Sequence, residues 1–430
     1  MSAPDVNINL NVRGMGQSAT VAINDRSNAL RAEGREVFKL GLGQSPFPVP
    51  SSVVGELQAN AFQKDYLPVK GLLELRASVA DYHRRTQGMA CDAQDVLIGP
   101  GSKELMFLLQ LVYYGDLVIP TPAWVSYAPQ AHIIGRHIRW VHTRPEDGWR
   151  LTPERLETLC ARDPGRPRIL ILNYPSNPTG VSFSSEHLEA LADVARRYRV
   201  VVLSDEIYGE LHHRGLHVSI ARYYPEGTIV SSGLSKWAGA GGWRIGTFAF
   251  PRGMQWLLEA MAAVASETYT SVSAPIQFAA CRAFRGGLDI EKYLHHSRRI
   301  LHHLGGWAAG RLARAGIRTL APDGGFYLFP DFTDAALVRQ EGLRHATQLT
   351  ERLLEETGVA ILPGTEFGRD DHELQARLAF VDFDGGRALY GSQAVPLEEP
   401  LDEDFLRTFC PNVTNAVDRI GDWALGRSAS

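Results

Sequence analysis

The sequence predicts an α/β fold, in which a mostly parallel sheet is covered by helices on both faces and a smaller α+β region follows. Three observations predict it. Short, nearly continuous apolar runs (VLIG 96–99, DLVIP 116–120, RILILN 168–173, VVVLSDE 200–206) alternate with longer amphipathic stretches, as expected of strands buried on both faces. After a long helical stretch at roughly 288–315, GGFYLFPDF, VAILPGTEFG and ARLAFVDF supply further strands separated by helices. A chain of 430 residues also exceeds what one core usually supports.

Taken in order, residues 18–35 read as a helix, with Val21, Ala22, Leu30 and Ala32 interleaved with polar residues, and 37–42 as a short strand. VLIG precedes the helix of SKELMFLLQLVYY, and DLVIP precedes the loop TPAWVSYAPQA. RILILN precedes YPSNPTG and a helix over 185–198. TIVSSG (228–233) and TFAF (247–250) complete the strand series. The turn-rich, acidic segment 385–404 reads as an inserted loop.

Composition narrows the function classes. A net charge of −4 gives no reason to expect nucleic acid or a membrane surface. Four scattered cysteines without a CxxC pair read as reduced structural thiols. The N-terminus carries no apolar signal-peptide core and no run approaches membrane-span length, so a cytoplasmic protein is expected, with no metal site indicated.

In open parallel sheets, ligands bind beyond the carboxyl ends of the strands. The residues just after the runs are Gly101-Ser102-Lys103, Trp124, Asn177, Asp205 with Tyr208, and Ser235-Lys236. Lys236 is one of only six lysines and precedes a glycine-rich loop ending in Arg244. Such an amine suits a Schiff-base nucleophile if it is desolvated or set among cations; taken alone it equally suits a turn. Asp205 closes an apolar run, where a carboxylate needs a positive partner such as a protonated pyridine nitrogen, or caps the next helix. Gly101-Ser102 opens a helix and so offers an anion site, which Arg244 would close. Trp124 would stack on a ring, and Asn177, held extended by Pro178, would aim its amide.

In this order and at strand ends, NYPSNPTG (173–180), SDEIYGEL (204–211) and SKWAGAGGWRIG (235–246) resemble the class I/II aminotransferases. These are fold-type I, aspartate aminotransferase-like enzymes that use pyridoxal 5'-phosphate. The resemblance runs from GQSATVAINDRSNAL and LGLGQSPFP, through YLPVKGLLELRASVADY, to ARLAFVDF. It implies a seven-stranded, mostly parallel sheet and three parts: an N-terminal arm that joins the small domain (1–50), a large cofactor domain (51–305) and a small domain (306–430). It implies that Lys236 forms the internal aldimine and moves the Cα proton in a ping-pong transfer from an L-amino acid to a 2-oxo acid. Asp205 would pair with the pyridine nitrogen, Tyr208 and Asn177 would bond the ring hydroxyl oxygen, and Trp124 would stack. Gly101, Ser102, Lys103 and Arg244 would hold the phosphate, and Ser235 would also bind the cofactor. Tyr66 would reach it from the partner subunit of a homodimer with shared active sites. Arg377 would clamp the substrate carboxylate, with Asn177 beside it and Gly43 in the covering segment.

Two departures stand out. Gly233 replaces a serine that many relatives use for phosphate, and GQSPF (43–47) replaces GEPDF over the substrate. Thr20 and Lys103 resemble positions where a bacterial aspartate and prephenate aminotransferase branch binds a distal carboxylate. That implies aspartate or glutamate as substrate. The alternative on the same scaffold is a lyase, decarboxylase or oxidative pyridoxal-phosphate enzyme. A DNA-binding regulator would need an appendage for which no room is read before Ser18.

Overall fold

Burial follows the apolar runs. A computed structural model describes residues 7–427 and forms β1 (Phe38–Lys39), β2 (Val96–Gly99), β3 (Asp116–Thr121), β4 (Ile138–His142), β5 (Arg168–Asn173), β6 (Val201–Asp205), β7 (Thr228–Gly233) and β8 (Gly246–Ala249). Every residue of β2, β6, β7 and β8 is buried, as strands covered on both faces must be. Strands β2 to β8 make a seven-stranded sheet in the order β2-β8-β7-β6-β5-β3-β4. All run parallel except β8, which is antiparallel to both β2 and β7.

The flanking helices are amphipathic. In the helix Ser185–Arg197, Leu188, Leu191, Ala192 and Ala195 are buried, at the spacing of one helical face. Ser184 caps it by accepting from the His187 amide, and Arg196 and Arg197 complement the dipole at its end. The helix Leu288–Arg314 connects to the C-terminal part. There β9 (Tyr327–Leu328), β10 (Val359–Ala360), β11 (Leu362–Pro363) and β12 (Ala376–Ala379) are short. An antiparallel sheet runs β11-β12-β9, and β1 pairs in parallel with β10. The four cysteines are buried and free. Among the described residues no helix is long and apolar enough to cross a membrane.

Three local expectations change. The strand expected over 37–42 shortens to Phe38–Lys39. The edge strand β4 escapes sequence reading because only Val141 of IRWVH is buried, so no apolar run announces it. The segment 385–404 is not a loop throughout: Gly385–Gln393 is a helix, capped by Asp384 accepting from the Arg387 amide. Its glycines disfavour a helix by propensity, but Gly391 is packing-driven, since a Cβ there would lie 2.4 Å from the Phe409 ring. The chain beyond is gathered by buried Arg299, whose guanidinium donates to the carbonyls of Ser392, Val395, Pro396 and Glu399.

Candidate active site

The strand order creates the site. The chain passes from β3 outward to β4 and then crosses back to β5 on the other side of β3, and ligand crevices open at such a switch point. A cavity of about 610 Å³ lies there. Its walls include Gly43, Ser102, Lys103, Trp124, Asn177, Asp205, Tyr208, Ser235, Lys236 and Arg244. Residues spread over two hundred positions of sequence thus meet because their strands are neighbours.

Lys236 follows β7, and its Nζ donates to the Gly43 carbonyl at 2.8 Å. Burial, then the positive charge of Arg377, lowers its pKa to about 8. A fraction of the amine is therefore neutral at working pH, which a nucleophile requires.

One end of the cavity is cationic. Gly101, at φ +90°, admits Arg244: a Cβ there would lie 2.2 Å from Arg244 Nη2. Gly246 allows equally close approach, since its Cβ would meet the Ser102 amide nitrogen at 2.1 Å. Arg244 donates to the Gly241 carbonyl at 2.9 Å. The Lys103 ammonium lies 5.1 Å over the Trp124 ring, its pKa lowered by burial and by Arg244. Among the described residues neither Lys103 nor Arg244 has an ion pair, unlike most arginines of this chain. Unpaired cations beside a helix N-terminus suit a dianion such as phosphate. Gly233 pairs with Gly246 across the ladder and does not line the cavity. A Cβ there would come 2.8 Å from the Ile245 carbonyl, so the backbone excludes a serine without a shift.

At the other end Asp205 is 3% exposed. Burial raises its pKa to about 6, against the Tyr127 hydroxyl, which donates to its Oδ2 at 2.5 Å and holds it down. Asn173 bonds the Asp205 carbonyl and accepts from the Asn177 amide at 2.8 Å, fixing the turn that carries Asn177. Tyr208 shares a 2.7 Å hydrogen bond with the Tyr327 hydroxyl. Sequence reading missed Tyr127, Asn173 and Tyr327. The available signals were Tyr127, three residues past Trp124, and Tyr327 within GGFYLFPDF.

Arg377 lies one layer behind the wall and is 1% exposed. It donates to Asn177 Oδ1 at 3.0 Å and to the Gly41 carbonyl, and its Nε is buried without a partner. Its guanidinium is 4.9 Å from the Tyr327 and Phe367 ring centres. Like Arg377, the predicted residues Gly101, Tyr66 and Thr20 do not line the cavity, although Gly101 packs directly against Arg244. Tyr66 is 90% exposed. Thr20, in the helix Ala19–Ala32, has its hydroxyl 3.2 Å from that of Ser18, and it does not line the cavity as expected.

Residues 35–380, which contain this buried amine, buried carboxylate and unpaired cations, match a family described as "Aminotransferase class I and II". The chain belongs to the class I and II aminotransferases. It is 33% identical to an aspartate aminotransferase of Geobacillus stearothermophilus, covering 84% of this chain and 92% of that one. It is 30% identical to an asparagine–oxo-acid transaminase of Streptococcus mutans, over 83% and 91%. The fold superposes on a Thermus thermophilus aspartate aminotransferase structure with maleate at TM-score 0.81 and 28% identity, covering 97% and 99%. That decides between the alternatives: the enzyme is a transaminase of fold type I, and its cofactor is pyridoxal 5'-phosphate. The aminotransferase's own residues fit that group. The cationic end with its glycine cradle suits the phosphate, Trp124 offers a ring face, and the buried Asp205 lacks a cationic partner among the described residues.

Proposed function

We propose that this aminotransferase acts on dicarboxylic amino acids, aspartate or glutamate, with 2-oxoglutarate as one 2-oxo acid partner. The observation that carries the reading is Lys103, an unpaired ammonium lining the cavity over Trp124. A second carboxylate on the substrate supplies its counter-charge. The maleate of the Thermus thermophilus structure, itself a dicarboxylate, supports it. The test is kcat/KM of Lys103→Ala. We expect a loss of about tenfold to a hundredfold for aspartate and glutamate and little change for neutral amino acids. An equal loss on both classes overturns the substrate reading. Lys103 alone carries it, since Thr20 lies off the cavity wall.

The same reading gives each residue its work. Bound pyridoxal phosphate supplies an electron sink for the pair left at the amino acid's Cα. Lys236 carries the cofactor covalently and holds and delivers the proton at Cα. Asp205 holds the ring nitrogen, Tyr208 and Asn177 the ring oxygen, and Trp124 the ring face. Gly101, Ser102, Ser235 and Arg244 enclose the phosphate. Arg377 turns its guanidinium to the α-carboxylate, helped by Asn177, while Gly43 covers the substrate. Residues 51–305 act as the large domain, and 306–430 with the N-terminal 1–50 as the small one. Tyr66, too exposed to serve its own cavity, completes the phosphate site of a second subunit in a cytoplasmic homodimer. Mixing equal amounts of Lys236→Ala and Tyr66→Ala subunits tests this. If the sites are shared, hybrids hold one intact site and about a quarter of wild-type activity returns; no recovery overturns the shared site.

A further inference from the structure

Asp205 is a demanding residue to keep ionised. Its strand is wholly buried, and the adjacent Glu206 is itself a buried carboxylate, bonded at 2.8 Å to His217 and to the Ser204 and Ser219 hydroxyls. Burial and Glu206 both favour a proton on Asp205, while Lys236 across the cavity opposes it. Tyr208 is the other titratable group nearby, and burial and its bond with Tyr327 keep it protonated far above neutrality. Only two hydrogen bonds reach the Asp205 carboxylate from the described residues. The Ile207 amide donates to Oδ1 at 3.4 Å, a long contact, and the Tyr127 hydroxyl donates to Oδ2 at 2.5 Å.

Tyr127 is suited to that task. It is 2% exposed at the start of the helix Tyr127–Ile133, which follows β3. Burial, then the charge of Asp205, pushes its phenol well above the ordinary tyrosine range. It therefore remains a donor wherever the enzyme works, and a carboxylate that accepts a hydrogen bond is favoured in its charged form. The same ring stands edge-on to Trp124, with centroids 5.3 Å apart and planes at 84°. One side chain thus braces the stacking surface and orients the acid.

We propose that Tyr127 is a positioning residue of this aminotransferase, whose hydroxyl keeps Asp205 ionised and aimed so that it can hold the cofactor's ring nitrogen. The inference rests on the reading of Asp205 given above. Tyr127→Phe separates the two contributions, because it keeps the ring beside Trp124 and deletes the donor.

The readout is the dissociation constant of pyridoxal 5'-phosphate from the cofactor-free protein, measured by fluorescence quenching between pH 5 and 8. Asp205→Asn is measured alongside, and melting temperatures confirm that both variants fold. For Tyr127→Phe we expect affinity about tenfold or more weaker near neutrality. The acid side of the profile should move to higher pH, and the variant should add little to the loss when combined with Asp205→Asn. Three results overturn the proposal. Wild-type affinity and profile in Tyr127→Phe, with a clear loss in Asp205→Asn, remove Tyr127 alone. A loss equal at every pH, additive with Asp205→Asn, marks packing only. An Asp205→Asn protein that binds cofactor normally removes the reading of Asp205 as well.

Discussion

The floor and the rim of the cavity are built differently. The floor consists of side chains at strand ends, where ladder register sets position: Asn173 faces Asp205 across β5 and β6. Its polar groups are buried and tied to one another through Tyr127, Asn173 and Tyr327. The rim comprises Gln44 and Lys103, which are exposed and carry an amide and a charge without ion partners among the described residues. Fixed geometry suits a constant cofactor, whereas partner-free side chains suit a substrate that arrives and leaves.

If the floor is the chemical part, its loss costs most. Lys236→Ala is expected to lower kcat by about 10⁴-fold or more, since it removes both covalent attachment and proton transfer. Residual turnover near wild type would place the chemistry elsewhere. Arg377→Lys, at the junction between floor and rim, should raise KM for all amino donors by about a hundredfold while pyridoxal phosphate affinity holds, because a lysine cannot reproduce a forked contact. A loss of cofactor instead would move Arg377 into the floor. Rim substitution should act by substrate class, as argued for Lys103.

The smallest effect is one of pH. The pKa of Lys236 is lowered to about 8, so its reactive neutral form increases about tenfold per pH unit below that value and levels off above it. The rate at which cofactor-free protein captures pyridoxal phosphate, followed by absorbance, should rise and then flatten near pH 8. A rate still climbing at pH 10 would mean a solvated amine. The stability of cofactor-free protein follows the same sign. The unfolded lysine binds more protons than the folded one between about 8 and its ordinary value, so this group adds stability as pH rises through that window. Asp205 acts oppositely between its ordinary range and about 6, where the folded state holds the extra proton.

The floor was legible in sequence because strands leave a signature at their ends. VVVLSD delivers Asp205 and TIVSSGLSK delivers Lys236 wherever the sheet forms. What escaped was set by contacts across the fold. Tyr127 reads as one more aromatic in an apolar loop until β3 and β6 are placed two strands apart. β4 is an edge strand whose outward residues are polar or exposed. The helix Gly385–Gln393 hides behind glycines, two of which have a packing reason across the fold: Gly385 lies against the Pro46 carbonyl and Gly391 against the Phe409 ring. Thr20 is the converse case: its local sequence matches a pattern, but it is not among the residues that line the cavity.

Arg299 has a consequence for mutational tolerance. Its four acceptors are all backbone carbonyls, and a carbonyl is the same in every residue. The path of 392–399 is therefore written at position 299 rather than in the segment itself. Side chains of residues 397–400, which are exposed, can drift at little cost while that path persists. A lysine at 299 offers three donors from a single nitrogen where the guanidinium offers a spread fork. It would leave the same eight residues, unchanged in sequence, without a mooring.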